Sequence, residues 1–190
     1  MEINKIVMEE ISGIEKFNLI DVGCARGALI KEIVSQSRDL NTVYSVGIDL
    51  LNHGVEKFYS KYLQVGIDQI GDARFQIKKF YVNKDDQASS LLVMDYSNLS
   101  DNRMESGKIY VPWVNRLGVK FVIPIKVISL EKVIRKYFLD KKIHLLKIDA
   151  EGNDLRVIKS QKFANRPLPI HICRIFKPQG FECASFQKWV

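Results

Sequence analysis

Cysteine is scarce in this chain. Cys24, Cys173 and Cys183 are the only three, an odd number whose spacing matches no zinc or redox motif. They read as free thiols of a reducing compartment, and no metal site is expected. Long hydrophobic runs are missing too: none approaches the ~20 residues needed to span a bilayer. The charged start, Met1 to Lys5, lacks the apolar core and cleavage site of a signal peptide. These absences point to the cytoplasm. No internal repeat and no low-complexity linker interrupts the 190 residues, so one domain over 1–190 is expected. A long basic block is also wanting. The net charge is +7, but the densest groups are the pairs Lys78-Lys79 and Lys141-Lys142. Charge spread in this way reads as solvated surface and argues against nucleic acid as a partner.

What is present is a regular alternation of apolar segments. Ile3 to Lys16 has helical spacing. Phe17 to Val22 is a short apolar run that reads as a buried strand, and Ala28 to Ser37 carries Leu29, Ile30, Ile33 and Val34 on one helical face. Thr42 to Ile48 predicts a second buried strand, Leu51 to Lys61 a helix and Tyr62 to Ile67 a third strand. Strand–helix repetition of this kind builds a parallel sheet with crossover helices. The middle differs. Arg74 to Val82 and Lys120 to Ile128 are strand-like, with Pro124 marking an edge or a break. The polar stretch between them reads as turn and surface loop. This region is expected to leave the main sheet as an antiparallel excursion. The alternation then resumes with a helix over Ser129 to Phe138, N-capped by Ser129. A strand over Ile143 to Ile148, a helix over Asp154 to Lys162 and a strand over Pro169 to Ile175 follow. The fold class is therefore α/β, a mostly parallel sheet flanked by helices.

Three clusters carry chemistry. Asp21-Val22-Gly23-Cys24-Ala25-Arg26-Gly27 joins the first strand to the first helix. Glycines there let backbone approach a ligand, and the helix start offers unpaired N–H groups. The spacing is not the G-x-G-x-x-G of dinucleotide folds, which argues against a nicotinamide oxidoreductase. An acid two residues before the first glycine suits a ligand with an ammonium end; a tight structural turn is the plainer alternative. Asp49, closing the second strand 22 residues after Gly27, is placed to accept hydrogen bonds from ribose hydroxyls. Lys147-Ile148-Asp149-Ala150-Glu151-Gly152 ends another buried strand with two carboxylates. Such a pair can divide acid–base work or hold a divalent ion. Helix capping by Asp149 and solvation of Glu151 are the bland readings. His144 lies at the opposite end of that strand and reads as structural.

These motifs together resemble the FkbM family of methyltransferases. Leu146 to Leu155, followed by Val157-Ile158-Lys159, is similar to the family's L-K-I-D-x-E-G-x-E-x-x-V-L-K-G. Val127-Ile128-Ser129-Leu130-Glu131 resembles its V-x-T-L-D, Tyr81 to Leu91 its loop ending in S-S-L, and Asp21 to Gly27 its D-V-G-x-x-x-G. The likeness covers roughly residues 17 to 165. It implies a Rossmann-like fold and methyl transfer from S-adenosyl-L-methionine to an oxygen of a small molecule, a sugar or other glycan, a lipid or a secondary metabolite. Carried over, Asp21, Gly23, Ala25 and Gly27 belong to the cofactor loop, Asp49 holds the ribose and Asp68 contacts the adenine. Asp149 and Glu151 sit at the methyl group and acceptor as catalytic residues. Asp49, Glu131, Asp154 and Ser160 depart from the family pattern. The specificity loop is expected within Asn83 to Trp113. The tail after Phe176 is too short for the extra helix and full closing hairpin of this class. That predicts C-terminal truncation and leaves a non-catalytic cofactor-binding or scaffold protein as the rival reading.

Overall fold

The computed structural model describes residues 14–36, 42–86, 89–93, 118–160, 170–176 and 182–187, the last two segments by backbone alone. The helix expected from Ile3 lies almost wholly outside them, as do most of the expected specificity loop and the side chains of Cys173 and Cys183. Strand β1 (Phe17–Val22) is followed by helix α1 (Ala28–Gln36) and strand β2 (Val43–Ile48). Next come β3 (Lys61–Leu63), β4 (Gly66–Ile67), β5 (Gln76–Asn83) and β6 (Val119–Ile128). Helix α2 (Leu130–Tyr137), β7 (Leu145–Ile148), α3 (Asp154–Lys159), β8 (Ile170–Phe176) and β9 (Glu182–Gln187) complete the order.

The main sheet runs β3-β2-β1-β7-β8-β9. All its neighbours are parallel except β9, which turns back antiparallel on β8. The chain steps outward from β1 to β2 and β3, then returns to place β7 on the other side of β1. The β1/β7 junction is thus the point where strand order reverses, and ligands of open α/β sheets bind at the carboxyl ends of such a pair. The fold is α/β and Rossmann-like, a mostly parallel sheet flanked by helices. The expected excursion is a second sheet, β4-β6-β5, with β5 and β6 antiparallel. Pro124 faces Lys79 of β5, while β4 pairs with Val127 and Ile128, so among the described residues the proline stands where β6 has a neighbour on one side alone.

Strand alternation divides the core. Ile20, Val22, Val46, Ile48, Leu146 and Ile148 face one side of the sheet and pack on Leu130, Val133 and Phe138. Leu19 and Leu145 face the other, against Ile30, Ile33 and Val55. Continuous burial on both faces is why these strands read as unbroken apolar runs.

Three local expectations are corrected. Leu51 to Lys61 is not a helix but a loop with one 3-10 turn, Glu56–Phe58. Asp49 Oδ1 accepts the Leu51 N–H, Asn52 Oδ1 accepts the Gly54 N–H, and Gly54 has φ +72°, so side-chain turns displace helical bonding. The single strand expected over Tyr62 to Ile67 is two, β3 in the main sheet and β4 in the second. Ser129 has the extended backbone of an N-cap but makes no side-chain cap bond. Ser160, from beyond α3, supplies it instead: its Oγ accepts the Leu130 N–H at 2.9 Å.

Candidate functional site

The parallel register puts Asp21, Gly47 and Lys147 in one row across β2, β1 and β7. The missing side chain at Gly47 makes room for the Tyr59 ring, which a Cβ there would meet at 2.7 Å. Tyr59 lies over the strand and donates its hydroxyl to Asp21 Oδ2 at 2.6 Å. The other carboxylate oxygen faces Lys147 Nζ at 3.1 Å. Lys147 also donates to the Gly23 carbonyl and stands 3.7 Å from Asp149 Oδ2. Burial alone pushes this ammonium down, but Asp21 and Asp149 more than offset that and hold it above the ordinary lysine range. Burial and the Asp21 charge push the Tyr59 phenol upward, so it stays a donor. Asp21, 1% exposed, thus has the Tyr59 hydroxyl on Oδ2 and the Lys147 charge beside Oδ1, which accepts no hydrogen bond among the described residues.

The loop that follows is held by its own chain. Gly23 has φ +69°, and a Cβ on it would lie 1.9 Å from the Asp149 carbonyl oxygen. Its N–H goes to the Ile48 carbonyl at 2.8 Å, while Asp149 donates to Val22 at 3.0 Å. Glycine is needed here because three strand ends converge. Gly27, also at φ +69°, is confined by Val55 and Ile30 and donates to the Cys24 carbonyl. Cys24 is a buried free thiol that burial pushes well up, a group without nucleophilic character. Ala25, at φ +42°, donates its N–H to Asp49 Oδ2 at 2.7 Å. With Leu51 on Oδ1, Asp49 fastens the loop to the end of β2.

After β7 the chain makes a tight turn. Glu151 has φ +47° and Gly152 φ +89°. Asp154 folds back to accept the Ala150 N–H at 3.0 Å on Oδ1 and the Gly152 N–H at 3.2 Å on Oδ2. The second sheet grips the same turn. Ser90, 2% exposed, donates its hydroxyl to the Glu151 carbonyl at 2.9 Å. Ser89 Oγ accepts the Asn83 N–H at 3.0 Å. The S-S-L and D-x-E-G motifs, sixty residues apart in sequence, meet here. Asn153, 1% exposed, donates to the Ile67 carbonyl at 3.1 Å, and its Oδ1 has no partner among the described residues.

A cavity of about 480 Å³ opens at this edge. Asp21, Gly23, Ala25, Asp49, Asp149 and Glu151 all line it, with Gly27 just behind in the same loop. Apolar side chains including Leu50, Val65, Phe80 and Leu91 form its body, and Asn153 lies within it. A family model for the methyltransferase FkbM domain matches residues 51–190. The chain belongs to the FkbM methyltransferase family. No curated relative and no solved structure matches it. The glycine loop and Asp49 precede the matched span, and the fold is what brings them to the same cavity as the family's D-x-E-G turn.

Not every expected residue of this methyltransferase reaches the cavity. Asp68 does not line it. Its Oδ1 accepts from Arg156 Nε at 2.7 Å and from the Gln69 N–H at 2.6 Å, and its Oδ2 meets Lys78 at 2.5 Å. Burial would raise this carboxyl, but Arg156, Lys78 and Gln69 outweigh it and hold it below the ordinary aspartate value. Asp68 ties α3 to β5 and lies outside the cavity that the other expected residues share. His144 lies at the far end of β7, where its Nδ1 accepts the Asn18 N–H at 3.0 Å. Lys147, Tyr59, Gly47, Ser90 and Asn153 had no assigned part beforehand. A cation inside an otherwise apolar strand is a readable signal for Lys147, and a glycine mid-strand for Gly47. Ser90 falls in the S-S-L motif and Asn153 at a variable position of the D-x-E-G segment, while nothing local marks Tyr59. Among the described residues no helix is long and apolar enough to cross a membrane.

Proposed function

We propose that the cavity binds S-adenosyl-L-methionine and that the chain transfers its methyl group to a hydroxyl oxygen of a sugar, lipid or secondary metabolite. The observation that carries this reading is convergence. The glycine loop after β1, Asp49 after β2 and the D-x-E-G turn after β7 border one cavity at the reversal of strand order. About 480 Å³ lies within the ~300–1,000 Å³ range of small-molecule sites. The residues fit the cofactor's chemistry. Each Asp49 oxygen already accepts one backbone N–H and keeps a further lone pair for a ribose hydroxyl. The unpartnered Asn153 Oδ1 is a buried acceptor that suits an amino group of a purine.

The bound sulfonium supplies an activated methyl group and its own leaving group. The chain's residues then have two tasks. The loop and Asp49 fix the position of the donor half, and alignment of donor with acceptor supplies most of the acceleration. Either Asp149 or Glu151 takes the proton of the acceptor hydroxyl, with Lys147 standing 3.7 Å from the Asp149 carboxylate. The chain reads as a single-domain cytoplasmic enzyme, and the free thiol of Cys24 is in keeping with a reducing compartment.

Isothermal titration with S-adenosylhomocysteine tests the cofactor half. Saturable binding that Asp49→Ala loses is the expected result, and no binding by folded protein would overturn the proposal. Methylation that survives Asp149→Ala combined with Glu151→Ala would remove the proposed base. Tight binding without turnover on any hydroxyl acceptor would favour a binding module.

A further inference from the structure

A second cavity, of about 300 Å³, lies where the chain leaves the main sheet after β3 for the second sheet at β4. Leu63, Val65, Ile128, Val133 and Tyr137 make an apolar floor, continuous with the core beneath it. Its rim is Arg74, Lys126, Lys132 and Lys136, and no carboxylate is among the described residues that line it. The four cations come from three separate elements: the turn before β5, strand β6 and helix α2. Lys132 and Lys136 stand one helical turn apart on the same face, a like-charge pair that destabilises a helix by itself.

Neighbouring cations are treated differently. Lys78 and Arg156 share Asp68, and Arg135 is paired with Glu131 at 2.6 Å. Three of the four rim cations contact neutral groups. Lys132 donates to the Ala73 carbonyl, Lys126 lies 5.0 Å from the centre of the Phe75 ring, and Lys136 lies 5.1 Å from that of Tyr137. Four positive charges around an apolar pocket repel one another, and an anion placed among them would remove that repulsion.

We propose that this pocket binds a phosphorylated small molecule. Its phosphoryl oxygens lie among Arg74, Lys126, Lys132 and Lys136, and its uncharged part covers Leu63, Val65 and Tyr137. The planar Arg74 fork is suited to two phosphoryl oxygens and the lysines to the remaining charge. The site shares Val65 with the first cavity but none of the glycine loop, and it does not depend on the methyl-transfer reading.

The test is an amide chemical-shift titration of the full chain at low ionic strength with phenyl phosphate, inorganic phosphate and phenol. Phenyl phosphate should give saturable shifts at Ile128, Val133 and Tyr137, leaving Ala25 and Gly27 unmoved, and bind more tightly than either fragment. Arg74→Gln with Lys136→Gln should weaken it about tenfold or more, the loss expected from two charge-assisted hydrogen bonds. Lys120→Gln with Lys141→Gln removes the same charge elsewhere and should leave binding within about twofold, as screened distant charges do. The pocket variant should melt no lower than the parent, because it relieves repulsion. Shifts confined to the glycine loop, no saturation, or equal weakening by both double variants would overturn the proposal.

Discussion

Replacing Lys147 with methionine would keep the bulk of the side chain and delete the charge that faces Asp21. In the native protein Lys147 Nζ lies 3.1 Å from Asp21 Oδ1, and Asp21 is 1% exposed. At an effective dielectric near 20 the attraction across that distance is about 5 kcal/mol, part of which offsets the cost of burying both groups. Removing one partner leaves Asp21 with the Tyr59 hydroxyl and no counter-charge. Orphaning a buried charge in this way costs about 3–5 kcal/mol. For a chain of this size that is a fall in Tm on the order of 10 °C. Urea unfolding followed by circular dichroism at neutral pH reads the loss. The double variant Asp21→Asn with Lys147→Met then measures coupling. It should be more stable than the sum of the single effects by at least about 1 kcal/mol, since no charge is left buried. A loss below about 1 kcal/mol for Lys147→Met, the size of a solvated surface pair, would refute the reasoning. The sign with pH is also fixed. The folded-state pKa of Lys147 is raised, so its contribution is complete below the ordinary lysine value of 10.5 and is lost as pH climbs through the raised value.

Gly23→Ala should destabilise the unliganded protein by more than about 3 kcal/mol, because it adds a backbone clash with Asp149 to a left-handed φ. Gly54→Ala, at φ +72° with nothing within 4 Å, should cost only the ~1–2 kcal/mol of the φ itself; equal losses would contradict the crowding argument. Ser160→Ala should cost about 1 kcal/mol through the lost cap on Leu130, and thermal melts should find Ser129→Ala closer to neutral. Burial, then the Lys142 charge, holds His144 below its ordinary value of 6.5. Its share of stability is therefore full above that pH and lost as pH falls through the lower folded value. His144→Asn should flatten the stability profile below neutrality relative to the parent, and identical slopes would rule this out.

Much of this was legible in the sequence because the signals were local. Phe17 to Val22, Thr42 to Ile48 and Ile143 to Ile148 are apolar runs bounded by polar turns, and strands buried on both faces leave that mark. The motifs at Asp21 to Gly27, Asp49 and Asp149 to Glu151 follow such strands, and parallel connections deliver all their carboxyl ends to one edge. Position along a strand was enough to set His144 apart from them. What the tertiary structure alone decided is which groups face each other. Asp68 was expected as a ligand from the family resemblance, yet Lys78 from the next strand and Arg156, 88 residues on, meet both its oxygens. Gly23 looked like a glycine kept open for a ligand, and it is required by the Asp149 carbonyl, more than a hundred residues away. Asp21 looked available and is neutralised by Lys147 across the sheet. Sequence periodicity determines which side of a strand a residue takes. The pairing of charges across strands depends on register and on crossings between elements, and those are set only when the whole sheet assembles.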